Sequence, residues 1–374
     1  MSIDISDEQR AFTAAVDDFC RREAGTREQR GDSPHHAGLY QKMADLGWLG
    51  VTVPEEYGGS GAGMVDTCLF LERVGYGQAP IGGFTTSAIV AAAIQRSGSE
   101  EQKKTVLGGL VDGRVHAIAM SEPEAGSDVA NLSCRAVRTG DGWVINGQKT
   151  WCSNAHIADT ILLVARTSGS AGDHAGLTML LVPADRPGLR ISGIETMGGK
   201  EVNDLYFTDV RVPADAVVGT VDQGWQQLMA GLNVERLILA ALMLGTAQRA
   251  FDDALGFIRE RRQFGRPVGT FQALRHRIAD LATEIECVRL LVHRVATLTD
   301  RDPGKVLPRE SSMVKLKATE VAREVALAGM QMMGGYGYAT EYDMERHVRT
   351  TLVSTIYGGT SEIQRDIIGK TYGL

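Results

Sequence analysis

Cysteine is scarce and carries no pattern: Cys20, Cys68, Cys134, Cys152 and Cys287 are scattered through 374 residues without a CxxC. An odd, unspaced set argues against a disulfide framework and for reduced thiols, so a cytoplasmic location is expected. The eight histidines form no HExxH and no Cys/His grouping with zinc spacing, so no metal is expected. Positive charge is also short: 39 Lys+Arg stand against 46 Asp+Glu, a net charge of −7, with no basic block to track a phosphate backbone. Nucleic acid is not an expected partner. Long hydrophobic runs are missing too. The longest, residues 237–244, falls far short of the roughly 20 residues of a spanning helix, so no membrane segment is expected. The start of the chain is acidic (Asp4, Asp7, Glu8) where an export or transit signal is basic. No GxSxG elbow is present, which disfavours a serine hydrolase of the α/β kind. The glycines of residues 53–63 follow no strand of a βαβ unit and precede no Lys-Ser/Thr, so they read as a turn and not a phosphate loop.

What remains is an ordinary folded composition, 43% hydrophobic and 23% charged, in a chain long enough for two or three domains. The first third reads helical. Ser6 with Gln9 and Ser99 with Gln102 have capping-box spacing, and Phe12, Val16 and Phe19 share one helical face. Further helical periodicity covers residues 39–46, 65–74 and 86–95. From Val115 the pattern changes to short β-rich runs at 115–120, 143–145, 161–164, 177–182 and 205–212. Asn146-Gly147 between apolar residues predicts a hairpin turn, and residues 168–173 form a polar insert between two strands. Helical patterns resume near Trp225. The expected fold class is α+β, with a helical N-terminal domain (1–114), a middle β domain (115–220) and a C-terminal helical domain (221–374).

One predicted helix stands out. Residues 228–244 are apolar nearly all round, yet Glu235 and Arg236 lie in their middle. Adjacent helical residues point about 100° apart, so each needs its own partner. Two buried ion pairs are one reading. The other is a carboxylate in an apolar cleft, where desolvation raises its proton affinity and makes it a competent general base. Three glycine-rich stretches, 121–128, 333–337 and 357–362, offer backbone amides to a ligand. The last two can equally be helix ends and turns.

In order, these segments resemble the acyl-CoA dehydrogenase family over essentially the whole chain. Ala119-Met-Ser-Glu-Pro-Glu-Ala-Gly-Ser-Asp128 is similar to the first family signature, and Asn146-Gly-Gln-Lys-Thr-Trp-Cys-Ser-Asn154 to the hairpin that faces the flavin. Arg261-Arg-Gln-Phe-Gly265 with Phe271-Gln272 is similar to the cofactor pyrophosphate and adenine contacts. Gln331-Met-Met-Gly-Gly335 and Ile356-Tyr-Gly-Gly-Thr-Ser-Glu-Ile-Gln-Arg365 complete the set. The resemblance implies the family fold, with a C-terminal four-helix bundle, and FAD as cofactor. It implies flavin contacts from Ile118, Met120, Ser121, Ser127, Trp151, Ser153, Arg261, Gln263, Phe264, Gln272, Gln331, Gly335, Thr360 and Glu362, some across a subunit interface of a homotetramer. It further implies acyl-CoA contacts from Ser127, Asn233, Arg236 and Gly359, and an electron-transfer flavoprotein as acceptor.

Two departures matter. Glu124 stands where the first signature usually has Gly. Gly358 stands where many members carry the catalytic Glu, immediately before the Gly-Thr-Ser run. Isovaleryl-CoA and long-chain members place that Glu on a helix directly before an Arg, and Glu235-Arg236 matches this arrangement. The resemblance thus implies α,β-dehydrogenation of an acyl-CoA to the trans-2-enoyl thioester, with Glu235 as α-proton base, Gly358 giving its backbone N–H to the thioester oxygen, and hydride transfer to flavin N5. A flavin oxidase or monooxygenase on the same fold and a catalytically dead partner in a mixed oligomer are the competing readings.

Overall fold

The computed structural model describes residues 5–374. Its helices begin where nearby side chains satisfy the free amides of a first turn. α1 (Asp7–Glu23) opens on Ser6, whose hydroxyl accepts from the Gln9 N–H at 3.1 Å while the Gln9 side chain accepts from the Ser6 N–H at 3.0 Å. α2 (Arg27–Arg30) and α3 (Ala37–Asp45) follow. Residues 53–63 form turns with a short 3-10 segment at Glu55–Tyr57, leading into α4 (Met64–Tyr76) and α5 (Gly82–Ser97). α6 (Glu100–Val111) opens on the second expected capping box, Ser99 with Gln102.

The middle of the chain builds an eight-stranded sheet. Its strands are β1 (His116–Ala119), β2 (Arg135–Thr139), β3 (Gly142–Ser153), β4 (Thr160–Arg166), β5 (Leu177–Pro183), β6 (Leu189–Thr196), β7 (Gly199–Pro213) and β8 (Val217–Val218). The order is β6-β7-β3-β2-β4-β5-β8, with β1 running parallel beside β4. Ala117, Ile145, Leu163, Leu180, Leu205 and Phe207 make its buried face. β2 and β6 carry little apolar alternation and were not expected. The polar insert joins β4 to β5 as expected, and Arg166 pins it by donating to the Ala175 carbonyl at 3.2 Å and the Asp173 carbonyl at 3.1 Å.

One turn is elsewhere than its sequence signal. Asn146-Gly147 lies inside β3, not at a hairpin tip, and the reversal is at Gly140-Asp141, between the paired residues Thr139 and Gly142. β3 pairs with β7 beyond this point, and the ladder shifts register between Ile145 and Gly147, a bulge. Asn146 pairs with Asp209 of β7 in both directions, at 3.0 and 2.9 Å. Gly147 is required by close approach: a Cβ there would sit 2.7 Å from the Cys134 Cα. The dipeptide serves a bulge because it tolerates the same unusual backbone a turn would use.

The last part is helical: α7 (Gly224–Glu260), the short β9 (Arg262–Gln263) and β10 (Arg266–Pro267), α8 (Gln272–Arg301), α9 (Pro308–Met333), α10 (Gly335–Tyr338), α11 (Met344–Ser354) and α12 (Ser361–Lys370). The helix, sheet, helix order is the expected α+β class. α7 is long and apolar enough to cross a membrane by length and composition, but most of its apolar stretch is buried in the protein, as in a core helix.

By contacts the chain forms two compact units, and the division falls inside α7 after Glu235. The first holds the chain up to Gly31, Gly63–Ala79 and Arg236–Leu374. Within it α4 meets α7 at glycines: a Cβ at Gly245 would lie 2.0 Å from the Glu72 carbonyl oxygen, and one at Gly75 would lie 2.4 Å from that of Leu242. Asp300 of α8 caps α4, accepting from the Met64 N–H at 2.6 Å and the Val65 N–H at 2.9 Å.

The second unit holds Asp32–Ala62 and Pro80–Glu235. Its buried His116 bridges α6 and β4. Nε2 lies 3.1 Å from the Val106 carbonyl, which only accepts, so Nε2 donates and Nδ1 accepts from the Thr160 hydroxyl at 2.7 Å. Burial pushes this imidazole from 6.5 down to about 4. On acidification the unfolded chain takes up the proton first. Stability from this group is therefore complete above about pH 6.5 and should fall by about 3 kcal/mol as the pH approaches 4. His116→Gln should flatten that part of the curve in urea titrations run from pH 7 to 4. An unchanged slope would show that His116 does not titrate in this window.

Candidate active site

In the second unit the candidate residues fall on β1 and the loop after it, on β3, and on the start of α7. Lys149 on β3 is fully buried, and its Nζ donates to the Met120 carbonyl and to Glu122 Oε1, both at 2.8 Å. The other Glu122 oxygen accepts from the Ser133 N–H and hydroxyl, both at 2.7 Å, and Oε1 also takes the Cys134 N–H at 2.9 Å. Burial by itself would raise the Glu122 carboxyl, but Lys149 and these donors outweigh it and hold it below the usual carboxylate range. The Thr150 N–H donates to the Ser121 carbonyl at 2.9 Å. Met120, Ser121 and Glu122 are thereby fixed against β3.

β3 then breaks its pleat. A second register shift, between Lys149 and Cys152, leaves Trp151 at φ +59 with 60% of its surface exposed. A bulky residue in the left-handed region is a strained arrangement that points to function. Cys152 points inward instead, where burial pushes its thiol up to about 12 and keeps it inert. Ser153 is half-buried, and Asn154 anchors the turn through Nδ2 to the Gly82 carbonyl at 3.0 Å. Ile118 and Met120 are half-buried, and Ser127 is exposed. On α7, Asn233 is buried and donates to the Met229 carbonyl at 3.1 Å, and Glu235 is half-buried two residues before the apolar stretch 237–241.

In the first unit Arg236 is buried. Arg261, Gln263, Gln272 and Gln331 are all exposed. Phe264 and Gly265 form the tip of the β9–β10 hairpin at φ +52 and +80, and Phe264 is 92% exposed, its ring T-shaped to that of Phe271 with centroids 6.0 Å apart. Arg261 has no carboxylate partner among the described ion pairs. Its guanidinium lies 5.1 Å from the Tyr336 ring centroid on the wall of a cavity of about 560 Å³ that Phe257 and Tyr342 also line. Gly334 and Gly335 have open space where a Cβ would stand. Thr360 caps α12, accepting from the Ile363 N–H at 3.3 Å, and Glu362 is exposed beside it. Gly358 and Gly359 both lie in the left-handed region, at φ +60 and +84.

A flavin nucleotide needs an aromatic face, backbone and hydroxyl donors for its polar ring edge, a cation for its phosphates and polar groups for its adenine. The exposed Trp151 beside the Met120–Ser121 backbone meets the first two needs in the second unit. Arg261, which is in none of the described ion pairs, the exposed Gln263, Gln272 and Gln331, and the open glycines 334 and 335 meet the others in the first. The donor set fits. The motifs read from the sequence contain Glu122, Lys149 and Gln364 without singling out any of them, and Lys315 lies outside every motif. The signal for Lys315 was present: it shares a helical face with the buried Ala318 and Ala322.

Residues 6–114, 117–210 and 222–373 match, in turn, the N-terminal, middle and C-terminal domains of acyl-CoA dehydrogenase. The chain belongs to the acyl-CoA dehydrogenase family. "Isovaleryl-CoA dehydrogenase, mitochondrial" of Solanum tuberosum is 35% identical over 380 residues, covering 99% of this chain and 91% of that one. "Caffeyl-CoA reductase-Etf complex subunit CarC" of Acetobacterium woodii is 34% identical over 374 residues, covering 97% of each. Among solved structures, the acyl-CoA dehydrogenase from Geobacillus kaustophilus superposes with a TM-score of 0.93 at 34% identity, covering 100% of both chains. This acyl-CoA dehydrogenase is accordingly an oxidoreductase, and the family resemblance read from its motifs holds over its whole length.

Proposed function

We propose that this flavoprotein removes the α-proton and β-hydride of an acyl-CoA thioester to give the trans-2-enoyl-CoA, with Glu235 as the base. The observation that carries this reading is the pairing of Glu235-Arg236 on an apolar helix with a glycine, Gly358, where a loop carboxylate would otherwise stand. An α-proton next to a thioester is weakly acidic, so its removal needs a carboxylate in dry surroundings and donors for the oxygen as enolate character develops. Glu235 takes the proton and the Gly358 N–H donates to the thioester oxygen. Ser127, Asn233, Arg236 and Gly359 hold the acyl-CoA. Trp151 and Ser153 face the flavin ring, the Ser153 hydroxyl keeping a hydrogen-bonding group there. FAD, when bound, supplies the acceptor for the β-hydride at its N5.

In this reading Arg261, Gln263, Phe264, Gln272, Gln331 and Gly335 serve a flavin shared between subunits of a homotetramer, which would account for the exposed Phe264 and for Arg261 being in none of the described ion pairs. An electron-transfer flavoprotein reoxidises the cofactor; a relative named as a subunit of an Etf complex supports this. Anaerobic mixing with short, branched, long and ring-bearing acyl-CoAs tests the activity. The yellow absorbance of the protein should bleach with at least one of them, and branched short chains come first because a relative is named for isovaleryl-CoA. No bleaching across the panel refutes dehydrogenation, and fast turnover with oxygen alone would favour an oxidase.

A further inference from the structure

The loop carrying Gly358 is held through its carbonyls. Gln364 Nε2 donates to the Gly358 carbonyl at 2.9 Å and to the Gly359 carbonyl at 3.0 Å, and Lys315 Nζ donates to the Gly359 carbonyl at 2.8 Å. Both side chains are fully buried. Lys315 comes from α9, 44 residues away from the glycine it holds. Glycine is favoured at position 359 by its left-handed backbone, φ +84, and a Cβ there would also lie 2.6 Å from Gln364 Nε2. None of the described hydrogen bonds starts from the N–H of Gly358, Gly359 or Thr360.

A peptide unit is planar and trans, so its C=O and N–H point in opposite directions. Fixing the carbonyls of Gly358 and Gly359 therefore aims the N–H groups of Gly359 and Thr360 away from the clamp. The Gly358 Cα joins its own N–H to the first clamped plane. A buried amine is costly to place; besides the Gly359 carbonyl, the Lys315 amine lies 5.8 Å from the Tyr357 ring centroid. Two donors on the Gly359 carbonyl hold that peptide, whose N–H belongs to Thr360, and with the bond to the Gly358 carbonyl they fix the course of the loop on the C-terminal side of the Gly358 N–H.

We propose that Lys315 and Gln364 are positioning residues for the dehydrogenation, holding the Gly358 and Gly359 carbonyls so that the loop keeps the Gly358 N–H in place for the thioester oxygen. This rests on the acyl-CoA reading above. Neither side chain touches substrate; both act through the backbone of the loop.

The test compares two ligands on the flavin-loaded protein: an enoyl-CoA thioester, and the matched CoA thioether in which a methylene replaces the carbonyl. Wild type should prefer the thioester. In Lys315→Met that preference should shrink by about tenfold, the size of one hydrogen bond, while thioether affinity and flavin content stay the same. Gln364→Met gives the same comparison should Lys315→Met fail to fold or hold flavin. Equal losses for both ligands, or an unchanged preference, in the variant that keeps its flavin overturn the positioning role. If wild type binds neither ligand, the acyl-CoA reading fails first and the proposal falls with it.

Discussion

In Glu235→Gln, reduction of the bound flavin by a good acyl-CoA should slow by at least the ~10²-fold to 10⁴-fold typical of a lost general base. The amide keeps the volume of the carboxylate and removes only the proton acceptor, so acyl-CoA affinity should change little. No loop carboxylate can substitute, because position 358 is glycine. Returning one as Glu235→Gln/Gly358→Glu places a side chain at φ +60, a conformation that costs about 1–2 kcal/mol for a residue with a Cβ. Recovery should accordingly be partial. Stopped-flow absorbance under anaerobic conditions reads both variants. A wild-type rate in the single variant would make Glu235 no more than a structural charge.

Lys149→Met should destabilise the protein by about 3–5 kcal/mol, the usual consequence of leaving one member of a buried ion pair without its partner. Glu122 keeps its three donors from Ser133 and Cys134, but its charge loses the amine 2.8 Å away, and the Met120 carbonyl loses its only described side-chain donor. Flavin should also be released more readily, because the segment from Met120 to Ser121 is fixed to β3 through this amine. Lys149→Met/Glu122→Gln removes the stranded charge as well and should recover part of the stability. Denaturant titration with flavin fluorescence as a second probe measures both effects. A loss below about 1 kcal/mol in Lys149→Met would show the pair to be incidental to the fold.

These residues also divide what could be read early from what could not. The two expected capping boxes were legible because they close over three residues: Ser6 with Gln9 and Ser99 with Gln102 need nothing beyond their own first turn, and a third, Thr26 with Gln29, is as local but was not read. The polar insert before β5 and the buried stretch after Glu235 were legible for the same reason, as composition and period act over a few neighbours. Trp151 was named from its motif, but its strain was not visible. Its left-handed backbone comes from a register shift against β7, a strand about 50 residues further on.

The amino-acid sequence by itself determined the helix, sheet, helix order, the apolar helix with Glu235 and Arg236 in it, and the absence of a side chain at position 358. Each of these is a matter of residue identity or local period. Tertiary structure alone decided that Asn146-Gly147 makes a bulge and not a turn, because β3 continues along β7 and the Cys134 backbone closes in on Gly147. It alone decided that Glu122 meets Lys149 and that Lys315 reaches the Gly359 carbonyl, contacts spanning 27 and 44 residues. A buried polar group must find a partner somewhere, but which partner depends on how the chain is threaded, and no local pattern encodes that.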